Sequence, residues 1–244
     1  MLHLSTSEPQ ANCWNKWPYI FGLPAYILAI EFALQISGRS QRLKETLAGV
    51  SVAIHSDVSG HGVGAALLSV SVMNALRSQS LPNTDFKDPE QVLASLNSTF
   101  PSEENNDMFF TIWYGVYNKS TRELTYASGG HPPALLFENT SSGDSGATLL
   151  RTANNAIGAM TDVTYEKSKH LVGEQTTLYI FSDGVYEVEK SDGSMWQFKE
   201  FADFMNKIKS AKQSRLDRLY QYAEYIRTQD NFEDDFTIVE VAFG

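Results

Sequence analysis

The chain has 244 residues, 42% of them hydrophobic and 20% charged, enough for one large globular domain or one domain with an appendage. Its formal net charge of −10 argues against nucleic acid as the main partner, because a phosphate backbone requires a basic footprint. The one cysteine, Cys13, excludes an internal disulfide and a cysteine-based zinc site; with no secretory signal ahead of it, it reads as a free thiol in the reducing cytoplasm.

Residues 1–16 read as a polar terminus. The apolar stretch from Trp17 to Ile36 is long enough to cross a bilayer, but Pro18, Pro24 and Glu31 weigh against that. The preferred reading is a packing helix over 24–36, with membrane contact through residues 17–36 as the lesser alternative. Ser37 to Leu47 reads as a turn and a short charged helix. Val50, Val52 and Ile54 alternate, which predicts a strand over Gly49–Asp57. It runs into "DVSGHGVG", a loop with one aspartate, one histidine and three glycines. Val63–Gln79 is small, apolar and uninterrupted, and predicts a buried helix. Asp88–Phe100 predicts a helix with Asp88 as its N-cap and Pro89 in the first position.

The pattern then changes. "MFFTIWYGVYNKSTRELTYAS" reads as two strands around the turn "NKSTR", and "HPPALLFE" as a third whose prolines precede the ladder. Asn139–Thr148 reads as a turn or loop. Thr177–Phe181 reads as a strand ending in an Asp-Gly turn. "FKEFADFMNKIKS" and "SRLDRLYQYAEYIRTQ" are amphipathic, and "DDFTIVEVAF" is a closing strand with an acidic entrance. Strands and helices come in blocks, which predicts an α+β fold with largely antiparallel sheets.

Three acidic spots share one setting. Asp57 and Asp183 each follow a predicted strand, and Asp234 and Asp235 precede one. Taken singly, Asp-Gly is a turn signal, a glycine-flanked histidine is weak, and an acidic pair is commonly solvated. Together they place carboxylates on one sheet rim, the oxygen-rich setting that Mg²⁺ and Mn²⁺ take. Two such ions about 3.5–4 Å apart can activate a water and neutralise a phosphoryl group.

"DVSGHGVGAALLS", "MFFTIWYGVYNKSTRELTYASGGHPPALLF", "IGAM", "LYIFSDGVYEV" and "DDFTIVEVAF", in that order over residues 50–244, resemble the SpoIIE/RsbU branch of the metal-dependent protein serine/threonine phosphatases (the PPM superfamily). The resemblance implies an α-β-β-α sandwich with mainly antiparallel sheets and a two-metal Mn²⁺ or Mg²⁺ site at one edge. It implies hydrolysis of phosphoserine or phosphothreonine by a metal-activated water, typically on STAS-like anti-sigma-factor antagonists in bacterial partner switching. It assigns Asp57 as the bridging carboxylate, the Val58 carbonyl as a further ligand, and Asp183 and Asp234 to the second metal. Gly60, His61, Gly62, Gly184, Asp235 and His131 are loop-shaping or support the ligands. The family's regulatory helices follow the glycine loop, which makes Val63–Gln79 a candidate switch element as well as a core helix.

The chain departs from the pattern upstream. Family members carry a "GGDYYD"-like strand about 20 residues before the glycine loop, and its first aspartate belongs to the metal site. Here no aspartate precedes Asp57, and the upstream acids are Glu8, Glu31 and Glu45, none in a Gly-Gly-acid context. The expectation is therefore an atypical segment over 1–48, with the first hairpin replaced or lost, ahead of a phosphatase domain over 49–244. A catalytically weak or inactive module that binds a phosphoprotein is the alternative to an active enzyme. No sensor or receiver motif precedes the domain, so regulatory input is expected from a partner. The oligomeric state is open, a homodimer included.

Overall fold

The computed structural model describes residues 50–59, 63–140, 143–144, 146–208, 214–227 and 236–243. The helices expected over 24–36 and 37–47, the first hairpin, and the apolar segment 17–36 lie outside these residues. Nine strands and four helices alternate in blocks among the described residues. They are β1 (Val50–Val58), α1 (Val63–Ser78), α2 (Pro89–Thr99), β2 (Phe110–Asn118), β3 (Glu123–Gly129), β4 (Ala134–Thr140), β5 (Gly143–Asp144), β6 (Thr148–Leu150), β7 (Ser168–Leu171), β8 (Thr176–Phe181), α3 (Phe198–Lys207), α4 (Arg215–Ile226) and β9 (Ile238–Phe243). The first sheet has the order β1-β2-β3-β7, and the second β5-β4-β8-β9 with β6 also on β4. Every strand pairing is antiparallel.

Side-chain alternation along the strands builds three layers of core. Phe110, Ile112, Tyr114 and Val116 of β2 pack on Leu68 and Val72 of α1 and Val92, Leu93 and Leu96 of α2. The intervening Trp113 and Tyr117 point the other way, against Leu136, Leu178 and Ile180 of the second sheet. Tyr179 and Phe181 of β8 then face outward onto Phe201 and Met205 of α3 and Leu219 of α4. The result is an α-β-β-α sandwich, with each fully buried large apolar side chain contributing about 1.5–3 kcal/mol.

Local chemistry sets the element ends. The Asp88 carboxylate accepts from the Glu90 N–H at 3.1 Å, and Pro89 occupies the first helical position of α2. Between β2 and β3 the Asn118 side chain accepts from the backbone N–H groups of Ser120 (3.0 Å) and Thr121 (3.3 Å), an Asx turn.

The structure corrects two expectations. Helix α1 is buried on one face only: Val63, Leu67 and Val70 are 62%, 62% and 55% exposed. They recur at i, i+4 and i+7, one stripe of the helix. Valine and leucine occupy both faces of the segment, and its serines do too, Ser69 buried and Ser71 exposed, so the sequence carries little period to separate the covered face from the open one. The loop expected over Asn139–Thr148 also holds β5, while β4 continues into its start and β6 begins at its end. Strand β7 adds four residues, Ser168–Leu171, to the edge of the first sheet, where the sequence shows no apolar alternation. Among the described residues, no helix is long and apolar enough to cross a membrane.

Candidate active site

Asp57 and Asp183 line one cleft of about 430 Å³ at the rim where the two sheets meet. Asp57 stands opposite Thr111 in the β1–β2 ladder. Thr111 is two residues before Trp113, so both rim residues continue the face that looks into the sandwich. Val58 points to the opposite face, is 5% exposed, and fixes the strand end in the helix-side core.

The peptide groups of Val58 follow from the register. The Ser59 N–H donates to the Phe109 carbonyl at 2.9 Å, which makes Ser59 and Phe109 a hydrogen-bonded pair and Val58 and Phe110 a non-bonded one. Phe110 accordingly exchanges hydrogen bonds with Ile157 instead, at 3.0 and 2.8 Å. By the same alternation the Val58 carbonyl is turned away from β2, toward the edge of the sheet. The Ser59 hydroxyl donates to the Phe109 carbonyl (2.8 Å) and accepts from the Phe109 N–H (3.0 Å), which closes the strand end.

Asp183 opens a single 3₁₀ turn, Asp183–Val185, directly after β8. Its carboxylate accepts from the Gly184 N–H at 2.9 Å, and its carbonyl accepts from the N–H groups of Tyr186 and Glu187, both at 2.8 Å. Buried Val185 anchors the turn in the aromatic layer under α3. Tyr186 also lines the cleft. Burial, and then the Asp183 and Glu187 carboxylates, push its phenol above its ordinary range, so it stays a protonated donor.

The floor comes from the "GGHPP" segment. Gly130 has φ +67°, and a Cβ there would meet the Ala156 Cβ at 2.9 Å, so the bend requires glycine. His131 is 3% exposed, and burial pushes its imidazole down to about 4 against the smaller opposing pull of the Pro132 carbonyl. The ring is therefore neutral near pH 7, and its Nδ1–H donates to that carbonyl at 2.8 Å. The glycine of "IGAM" has a similar reason. Gly158 has φ +83°, a Cβ would collide with the Phe100 carbonyl, and its N–H donates to the Asn97 side chain at 2.7 Å.

The structure thus brings Asp57 and Asp183 together in one cleft, turns the Val58 carbonyl toward the edge of the first sheet, and holds buried Gly184 against the Asp183 carboxylate. Gly60, His61, Gly62, Asp234 and Asp235 lie outside the described residues. Two residues beyond Asp235, Thr237 clasps Ser182: the Ser182 N–H donates to the Thr237 carbonyl at 3.0 Å, and the Thr237 N–H donates to the Ser182 hydroxyl at 3.1 Å. Among the described residues no three His, Cys, Asp or Glu side chains cluster as a complete metal site. The two carboxylates in the cleft are nonetheless hard oxygen donors. They fit Mg²⁺ or Mn²⁺, which keep several waters, better than softer metals.

Thr111, Arg151 and Tyr186 line the cleft without having been singled out by sequence. Tyr186 has a local signal, three residues after Asp183 and so one short helical turn away. Arg151 has none, because it sits in a stretch without periodicity.

The profile of the family described as stage II sporulation protein E (SpoIIE) matches residues 48–244. The chain is 30% identical over 210 residues to the phosphoserine phosphatase RsbU of Bacillus subtilis (strain 168), covering 85% of this chain and 59% of that protein. It is 26% identical over 187 residues to the phosphoserine phosphatase RsbP of the same organism, covering 76% of this chain and 44% of that protein. The chain therefore spans about half the length of these curated relatives. The solved SiaA-PP2C domain of Pseudomonas aeruginosa superimposes with a TM-score of 0.66 at 18% identity, over 81% of this chain and 77% of that one, a likeness of fold. By the extent of the family match, the chain belongs to the SpoIIE family.

Proposed function

We propose that residues 49–244 form a metal-dependent phosphatase that hydrolyses phosphoserine or phosphothreonine on a bacterial signalling protein of the STAS-like class. The observation that carries this reading is the convergence of Asp57 and Asp183, from different sheets, on one cleft. Two or three oxygen ligands from such a rim, with Asp234 as the remaining one, suit one or two Mn²⁺ or Mg²⁺ ions. When bound, these cations supply the positive charge that lowers the pKa of water and offsets the phosphoryl charge. Water oxygen adds to phosphorus, the P–O ester bond breaks, the serine oxygen takes a proton, and inorganic phosphate leaves. The chain's own residues orient the reactants: Gly184 and the 3₁₀ turn hold the Asp183 carboxylate, Val58 and Ser59 fix Asp57, and the neutral His131 keeps the floor shut.

The test is hydrolysis of p-nitrophenyl phosphate and of a phosphoseryl peptide with and without Mn²⁺. Asp57→Asn and Asp183→Asn are each expected to lower the Mn²⁺-dependent rate by at least about a hundredfold. A rate indifferent to Mn²⁺ or to both substitutions overturns the reading. One observation favours the second reading, a module that binds a phosphoprotein without turnover: no aspartate precedes Asp57, where the family pattern has one. Calorimetric Mn²⁺ titration separates the two, with two tight sites expected for the enzyme and no tight site for the binding module.

A further inference from the structure

Arg151 is the one cationic side chain among the described residues that line the cleft, where it joins Asp57 and Asp183. The chain carries 29 acidic and 19 basic residues, so most cations have an abundance of carboxylates to pair with. Lys167, Lys169, Lys190, Lys199 and Arg227 do pair with them. Arg151 is exposed and has no ion-pair partner among the described residues.

Its backbone, by contrast, is pinned on both sides. Leu150 before it is 1% exposed, and its carbonyl accepts from the Trp113 indole N–H at 3.3 Å. Thr152 after it is bound to Ser128 four ways. The Ser128 N–H donates to the Thr152 hydroxyl (2.8 Å) and the Thr152 N–H to the Ser128 hydroxyl (3.0 Å). The Ser128 hydroxyl donates to the Thr152 carbonyl (3.1 Å), and the Thr152 hydroxyl lies 3.2 Å from the Ser128 carbonyl. A guanidinium on a fixed backbone, unpaired and facing a cleft with two carboxylates, is organised for an anion that enters that cleft. A phosphoryl group is that anion: its oxygens match the planar fork of donors, and a second cation offsets charge that the aspartates would otherwise repel.

We propose that Arg151 binds the phosphoryl oxygens of the substrate and of the phosphate product, an assignment that rests on the phosphatase reading of the same cleft. The side chain then selects a phosphomonoester at the rim, while Asp57 and Asp183 would hold any cations of the same cleft. Leu149, which is 50% exposed on the same segment, supplies an apolar wall for the peptide that carries the phosphate.

The test uses the full chain loaded with Mn²⁺ and inorganic phosphate as the probe, with binding read by calorimetry. Arg151→Ala is expected to weaken phosphate about tenfold, the loss of one charge-assisted contact, and to raise the KM for a phosphoseryl peptide by a similar factor. Arg151→Lys keeps the charge without the fork and is expected to recover part of the affinity. The Mn²⁺ titration midpoint is expected to stay unchanged in both. Equal phosphate affinity in wild type and Arg151→Ala overturns the assignment, as does an effect confined to the Mn²⁺ midpoint. A wild-type chain that binds phosphate through Arg151 but turns over no ester would sink the hydrolysis reading and leave Arg151 only as a phosphoryl-binding residue. A wild-type chain that binds no phosphate sinks the assignment whatever its turnover.

Discussion

Ser59 and Ser182 stand at opposite sides of the cleft, and each sits beside a cleft aspartate at a strand end. Each makes the same clasp. Its N–H and hydroxyl both donate to one facing carbonyl, Phe109 or Thr237, and its hydroxyl accepts the N–H of that same residue. A serine hydroxyl thus replaces the next rung of the ladder in both sheets and stops the strand where a carboxylate is needed. The surroundings differ. Ser182 is 1% exposed, directly after β8, which is flanked by β4 and β9, and next to a turn anchored in aromatic packing. Ser59 is partly exposed, directly after β1, which stands at the end of the first sheet's strand order among the described residues. The same hydrogen bonds therefore hold one carboxylate in a dry, heavily packed frame and the other in a wet one. Burial decides how much each clasp is worth.

Substitutions can break that contrast. The largest effect is expected from Phe201→Ala, because Phe201 is fully buried and stacks edge-on against Phe181 at 4.7 Å between centroids, directly before the Ser182–Asp183 end. Urea denaturation is expected to show a loss of about 3–5 kcal/mol. A loss below about 1 kcal/mol would mean that the aromatic layer does not brace that side.

His131 comes next, on the floor between the two sides. Its folded value of about 4 lies below the ordinary 6.5. Between those two values the unfolded chain takes up a proton that the folded chain refuses, so stability is intact above about pH 6.5 and falls as pH drops toward 4. The full window is worth about 3 kcal/mol. Unfolding free energies measured across it are expected to fall more steeply in the wild type than in His131→Asn. Parallel profiles would count against a buried neutral imidazole.

Smaller effects test the clasps themselves. Ser182→Ala leaves a partly buried Thr237 N–H without its acceptor and is expected to cost about 1–3 kcal/mol. Ser59→Ala, where water can replace the hydroxyl, is expected to cost less than about 1 kcal/mol and mainly to speed amide exchange at Phe109. Equal costs at the two serines would remove burial as the explanation.

Legibility in the sequence followed the same division. Strands β2, β3, β8 and β9 carry dense β-branched and aromatic residues, and α2 carries its own cap, so both position and type were readable. Asp57 and Asp183, which share the cleft, stood out through glycine-rich or Asp-Gly turns after apolar runs. Helix α1 misled because its small and polar residues fall on both faces and so do not reveal which stripe is covered. Strand β7 and Arg151 gave no local signal at all. They owe their places to partners far along the chain: β7 to β3, and the Arg151 backbone to Trp113 and Ser128. Tertiary contacts of that kind leave no periodicity to read.

The position of β8 also has a consequence for biosynthesis. Asp57 is on the first described strand, yet its counterpart Asp183 follows a strand that pairs with β9, the last one described. A ribosome adding about 5–20 residues per second makes the Asp57 end many seconds before β9 emerges. Until then β8 has an unpaired edge, and the Thr237 half of the Ser182 clasp does not exist. The cleft is thereby among the last features of the fold to be completed, and a nascent chain carries the first aspartate well before it can position the second.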